Sequence, residues 1–341
     1  MLAAFWDEVH RPSIISPKIK LTGPQVRGLT FRIEVDKMKK LIALGLTLPL
    51  FVVLARAGEH PNWDNSTVTM NDDSASDDCR EHLRVGNDDY RANVRDEEIK
   101  TVPNQPLTIT AEHNGGIQVT TWDRPEVSLK LCKQIATDDE SQGRKLLAET
   151  RLEINGSKIS IHVPEENHHS LGTLLLVKAP RNADLKLNVQ NGGVSLTDFT
   201  GTAEAHAQNG GISFRRSTGK LTAQAQNGGI SIKDCGGDVT AKVENGGLSL
   251  ALADRWEGKG LEAHARNGGL VVSVPKTFNG GLEVVASEHT SIICKDNACD
   301  AGERTWDSGH KLFRMGGANP QVRATTENGG IVIKDRARGE L

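Results

Sequence analysis

The sequence is poor in the residues that build deep ligand pockets. Aromatic side chains make up 4% of its 341 residues, with a single tyrosine, Tyr90. Hydrophobic residues reach only 37%. A thick core around an aromatic-lined cavity is therefore disfavoured, and with it an ordinary small-molecule enzyme. An excess of positive charge is missing as well: 41 Lys+Arg stand against 44 Asp+Glu, a formal net charge of −3. Binding nucleic acid through phosphate contacts is not the expected role. There is no CxxC, no GxSxG, no P-loop and no HExxH, so the common zinc, hydrolase and nucleotide signatures are absent. No cofactor is expected. Glycine is abundant, at 35 residues.

The segment from Met38 has the three parts of a secretory signal peptide: Met-Lys-Lys, an apolar run from Leu41 to Leu54, and Ala55-Arg56-Ala57. Fourteen residues interrupted by Pro49 are short for a membrane span. Cleavage is expected after Ala57, with residues 1–37 an extension ahead of the true initiator, Met38. The exported part, 58–341, would hold 32 basic and 40 acidic residues, a net charge of −8. It has no later run long enough to cross a membrane. A periplasmic or extracellular location, at the cell surface or free, is the expectation.

All five cysteines fall in the exported part, where oxidation is possible. Cys294 and Cys299 flank four polar residues and could close a small loop. Cys79 and Cys132 could pair, though spacing alone does not establish connectivity. Cys235 falls on an inward repeat position and reads as a small buried hydrophobe.

The glycine excess is organised. Asn-Gly-Gly occurs at Asn114, Asn191, Asn209, Asn227, Asn245, Asn267, Asn279 and Asn328, which accounts for 16 of the 35 glycines. From Asn191 to Asn245 the spacing is 18, 18 and 18, followed by 22 to Asn267. A fixed period of this size signals a solenoid. Three and five residues after each Asn stand aliphatic or aromatic side chains (Val194 and Leu196, Ile212 and Phe214, Ile230 and Ile232, Leu248 and Leu250), with Ser195, Ser213, Ser231 or Ser249 between them. Ahead of each Asn run small inward residues such as Ala203-Ala205-Ala207 and Leu221-Ala223-Ala225. Both halves alternate with period two, as half-buried strands do.

The rival reading of Asn-Gly is a β-hairpin, but a meander needs no constant 18-residue register, whereas stacked coils do. The expected fold is therefore all-β: a parallel β-solenoid, or flattened β-helix, with two short strands per coil of about 18 residues. Crossover preference makes it right-handed. Asn191, Asn209, Asn227, Asn245 and Asn267 should form a stacked turn ladder, with the glycines supplying positive φ at the corner. A short helix is expected at about 137–150, covering an open edge. Residues 58–104 read as a polar, loosely ordered leader, 105–335 as the solenoid and 336–341 as a tail.

The stretches LTITAEHNGGIQVTTW (107–122), VKAPRNADLKLNVQNGGVSL (177–196), RWEGKGLEAHARNGGLVVSVP (255–275) and VRATTENGGIVIK (322–334), with the glycine coils between them, resemble the bacterial family named "putative adhesin", a domain of unknown function with β-strand repeats. The resemblance spans roughly 105–335 and implies an exported β-solenoid associated with the envelope or cell surface. It implies no catalytic residues. The chain departs from the pattern after Ala286, where SEHTSIICKDNAC replaces a regular coil.

Candidate chemistry is sparse. Asp198, Arg216 and Asp234 share one outward position on successive coils. The two carboxylates would lie ~9.5 Å apart, near the upper end of inverting glycosidase pairs, but an Asp-Arg-Asp salt-bridge ladder is the simpler account. His206 and His264 would be ~14 Å apart, too far for one metal, and His162 with His168-His169 is a looser group. Trp256 and Trp306, on irregular loops, are the candidate contact residues, with burial as edge caps the alternative reading. The leading functional reading is a non-enzymatic binding or structural surface in the cell envelope, whose partner is an envelope or extracellular glycan or another protein. The alternatives are a β-helix carbohydrate-active enzyme acting through Asp198 and Asp234, and an envelope-stress or assembly accessory.

Overall fold

A computed structural model describes residues 69–70, 76–85, 92–164, 171–307, 309–317 and 319–336. The described residues are all-β, with two short helices and two large mixed sheets, one of 12 strands and one of 11. The expected signal segment, its cleavage site after Ala57, most of the acidic run at 71–78 and the pair His168-His169 lie outside the described residues.

Each central repeat gives one eight-residue strand to the 12-stranded sheet and one four-residue strand to the 11-stranded sheet. Thr202–Asn209 and Ile212–Arg215 are one such pair, and Lys220–Asn227 and Ile230–Lys233 the next. Neighbouring repeats are parallel and in register. Ala205 lies beside Leu187 and Ala223, Ser213 beside Ser195 and Ser231, and Asn209 beside Asn191 and Asn227. The pairing continues without a slip through Asp238–Asn245, Gly260–Asn267 and Val322–Asn328. The longer spacing before Asn267 is absorbed by the loop at 254–259, which leaves the ladder unbroken.

The alternation seen in the sequence sets the burial. Ala203, Ala205 and Ala207 on one sheet and Ile212 and Phe214 on the other are buried, and the inward rows of all the repeats form one continuous apolar cluster. At this repeat one sheet supplies small residues and the other large ones, which lets the two approach closely.

Both ends of the stack are built out of chain order. At the near end, Leu107–Ala111 lies between Lys158–His162 and Asp184–Asn191. The first repeat of the chain is thus enclosed by the two that follow it. At the far end, Val322–Asn328 lies between Gly260–Asn267 and Leu282–Ser287, so the last repeat fills a slot that the chain had passed over. The irregular stretch after Ala286 is part of this outermost layer: Ile292–Cys294 pairs with Ile331–Asp335, and the hairpin Gly302–Asp307/His310–Met315 extends the 12-stranded sheet.

The segment 58–104, read from sequence as loosely ordered, contains a 12-residue strand, Ala92–Pro103, antiparallel to Glu126–Thr137 along its whole length. Its polarity is that of an edge strand, which needs charge to resist further pairing. Residues 79–85 also pack as a small cluster on Cys132, Ala136, Leu174 and Leu176, fastened by the Cys79–Cys132 disulfide.

The longer helix occupies Glu140–Glu149, N-capped by Asp139, whose side chain accepts from the backbone N–H of Ser141 and Gln142. It packs on Val94, Ile135 and Leu171. The buried Lys133 ammonium donates to the carbonyls of Leu147 (2.9 Å) and Thr150 (3.0 Å) at the helix C-terminus, the end that favours a cation.

Candidate functional site

The Asn-Gly-Gly corner is the most regular feature of the surface. Each Asn side-chain amide donates to the amide oxygen of the Asn one repeat before it, at 2.9 Å for Asn209 to Asn191 and between 3.0 and 3.1 Å onward through Asn227, Asn245, Asn267 and Asn328. Asn328 extends the five-residue ladder read from the sequence. The first glycine after each Asn faces the backbone of its neighbour. A Cβ on Gly210, Gly228, Gly246 or Gly268 would lie 1.7–2.0 Å from the carbonyl oxygen of the corresponding glycine below. Close approach therefore requires these glycines. Positive φ, expected for the corner, occurs among the Asn-Gly-Gly glycines only at Gly246, Gly281 and Gly329 of the described residues.

The second glycine is different. A Cβ on Gly247 or Gly269 would have its nearest neighbour at 3.8 or 3.7 Å, and on Gly330 it would meet nothing within 4 Å. On Gly211 and Gly229 it would lie 3.4 and 3.3 Å from the carbonyl oxygen of the next repeat, so stacking leaves clear room for a side chain only from Gly247 onward. The empty column, together with the outward Ser row beside it, forms a trough of about 940 Å³ along the outer face of the 11-stranded sheet. The row reads Gln118, Ser195, Ser213, Ser231, Ser249 and Val271 in register, and continues past the trough to Val332 and Ile293. Gln118 and Ser195 are buried, Ser213 and Ser231 half-buried and Ser249 exposed, so the trough is closed at one end and open at the other. Ser195 is 7% exposed, and its buried hydroxyl has no hydrogen-bond partner among the described residues. Arg215 and Lys233 line the same stretch. No residue lining this trough is among the site candidates read from the sequence; its signal there is the second Gly, repeated beyond what stacking requires at Gly247 and Gly269.

Asp198, Arg216 and Asp234 occupy one turn position, each in the left-handed region with φ of 58°, 45° and 54°. Asp tolerates that conformation better than Arg does. Arg216 binds both carboxylate oxygens of Asp198, at 2.8 and 3.0 Å, and this hydrogen bonding, with the Asp198 and Asp234 charges, holds its guanidinium above its ordinary pKa. The expected three-membered ladder is not what forms. Asp234 is bound instead by Arg336, which arrives from 102 residues away and also donates to the Leu252 carbonyl at 2.7 Å.

Beside this turn, Ser217 and Cys235 occupy the same buried slot and donate to the carbonyl two residues back, at 2.8 and 3.3 Å. Burial pushes the Cys235 thiol up to about 12, so it is not a nucleophile at neutral pH. The other cysteines form the Cys79–Cys132 and Cys294–Cys299 disulfides.

Of the two readings of Trp256, contact residue or buried edge cap, the structure shows the second. Trp256 is 5% exposed, and its indole N–H donates to the Gly237 carbonyl at 3.2 Å, so it packs the 254–259 loop onto the core. The side chain of Trp306 lies outside the described residues. The histidines are engaged locally: His206 with Glu204, and His264 with Thr325 and Glu327. No group of three or more metal-ligating side chains occurs among the described residues, and no helix there is long and apolar enough to cross a membrane.

The described chain is thus an all-β protein of two long mixed sheets with a trough along one outer face. No family model matches it, and no curated protein sequence does. Among solved structures, it is similar to a "putative cell adhesion protein" from Clostridium sporogenes, at 11% identity and a TM-score of 0.29, over 71% of this chain and 100% of that one. It is similar to a "putative adhesin" from Bacteroides fragilis at 9% identity and a TM-score of 0.31, over 71% and 97%. A "putative lipid binding protein" from Parabacteroides distasonis gives 10% and 0.35, over 70% and 96%. These bacterial structures carry the kind of name that the quoted sequence motifs resemble, but likeness at this level carries no argument about function.

Proposed function

We propose that residues 105–335 form a flattened parallel β-solenoid that is exported and serves as a non-enzymatic binding or structural surface in the bacterial cell envelope. The observation that carries this reading is the unbroken register of the repeats together with the uninterrupted Asn ladder at their corner. Such a stack presents long, rigid, repetitive faces, the geometry suited to extended ligands rather than to a convergent catalytic centre. The carboxylates best placed for polysaccharide cleavage, Asp198 and Asp234, each hold an arginine. A general acid needs a raised pKa and a base needs access to water, and bidentate Arg pairing opposes the first. The export reading rests on the sequence from Met38 to Ala57.

The test is to incubate the protein with a panel of cell-wall and extracellular polysaccharides, scoring bound protein and newly released reducing or unsaturated ends together. Retention without product is the expected result. Product release abolished by Asp198→Asn or Asp234→Asn would establish the enzymatic alternative instead.

A further inference from the structure

We infer that the trough on the 11-stranded sheet is a binding site for a free long-chain fatty acid, with its carboxylate at the closed end beside Ser195 and its hydrocarbon chain running along the glycine column toward Val271. The inference rests on the binding-surface reading above and gives that surface a ligand class.

Four observations carry it. Toward the open end the second glycines leave room that the stacking of repeats does not require: at Gly247 and Gly269 a side chain would meet only ordinary contact distances, whereas at Gly211 and Gly229 it would lie 3.4 and 3.3 Å from a carbonyl oxygen. The trough runs across six repeats, from Ile117 to Val271, or roughly 24 Å for five strand spacings.

At the closed end, the Ser195 hydroxyl is buried without a partner among the described residues, an arrangement that costs free energy unless something supplies the bond. A carboxylate accepts from it, and Gln118, buried one strand away, offers an amide.

Charge is distributed to match. Arg215 and Lys233 line the trough one and two strands from Ser195, and Lys233 forms no ion pair among the described residues. Toward the open end the row changes from Ser249 to Val271, and beyond the trough it continues with Val332 and Ile293, the last 49% exposed. Polar and cationic toward its closed end and leading onto an aliphatic row at the other, the trough is complementary to an anionic amphiphile. A glycan fits less well, because no aromatic ring lines the trough for a sugar to stack on.

The experiment is calorimetric titration of the full chain with palmitate below its micellar concentration. Laurate, uncharged palmitamide and a soluble oligosaccharide are titrated alongside. Saturable binding of one palmitate per chain is expected, weakened about tenfold or more for laurate as buried methylenes are lost, and at least tenfold for palmitamide. Gly247→Leu, which fills the trough where stacking leaves space, should weaken palmitate binding at least tenfold while leaving the melting temperature within a few degrees of the parent. Lys233→Glu should weaken palmitate and leave palmitamide unchanged.

Absence of saturable palmitate binding would overturn the inference, as would undiminished binding by folded Gly247→Leu. Oligosaccharide binding without palmitate binding would also overturn it while leaving the binding-surface reading in place.

Discussion

Gly246→Ala should destabilise the protein by several kcal/mol, while Gly247→Ala, one residue along, should change its stability by less than about 1 kcal/mol. The two substitutions add the same methyl group to the same turn. At Gly246 the new Cβ would fall 1.9 Å from the carbonyl oxygen of Gly228 and 2.6 Å from its carbonyl carbon. Neither atom can move without breaking the main-chain ladder of the repeat below, in which Gly228 donates to the Asn245 carbonyl at 2.9 Å. Gly246 also has φ of 152°, which a side chain resists. At Gly247 the nearest atom would be 3.8 Å away. Thermal or denaturant unfolding of both variants measures the contrast. Equal losses would show that the first glycine is chosen for something other than the closeness of its neighbour.

Ala223→Leu should cost ~1–3 kcal/mol by overpacking. Ala223 is fully buried, with Ala205 and Ala241 beside it in register and the large aliphatics of the other sheet opposite. A repeat stacked at ~4.8 Å cannot widen locally without drawing its neighbours apart, so the added side chain has nowhere to relax. Thr222→Leu, on the outer face of the same strand, is the control and should stay within about 0.5 kcal/mol. Denaturant midpoints of the two variants decide the point, and an unchanged midpoint for Ala223→Leu would place the alanine column outside the core.

Much of this architecture is legible in the sequence because it is written by local rules. Period-two alternation places Ile212, Phe214, Ala203 and Ala205 inward, and an 18-residue period brings each residue beside its counterpart. The Asn ladder follows from the same register. What escaped was set by contacts distant in the chain. Nothing near Val322 indicates that this strand inserts between Gly260–Asn267 and Leu282–Ser287, since that choice lies in the relative fit of three similar repeats. The partner of Asp234 is Arg336, 102 residues away, and the counterpart one repeat below, Arg216, was the visible but incorrect choice. Trp256, on an irregular loop, reads from sequence as either a contact residue or a buried edge cap, and its indole turns inward to the Gly237 carbonyl. The strand at 92–103 was missed because an edge strand carries the charged composition of a loop. The trough was missed because the sequence shows two adjacent glycines at each corner, and only neighbour distances separate the one that stacking needs from the one that it does not.

The stacking of repeats, including the two built out of chain order, is tested most directly by distances between spin labels on one outward row. That row reads Lys186, Glu204, Thr222, Thr240, Glu262, Arg323 and Glu283 in register. Cysteines placed pairwise at Lys186 and each of three far positions carry the labels, while native Cys235 stays buried and unreactive, its thiol pushed up to about 12. At one strand spacing per repeat, the distance from Lys186 should be roughly 19 Å to Glu262, 24 Å to Arg323 and 29 Å to Glu283. Residue 283 should thus lie farther away than residue 323, against their order in the chain. Distances that place 323 beyond 283, or that fail to grow by one strand spacing per repeat, would contradict the stack.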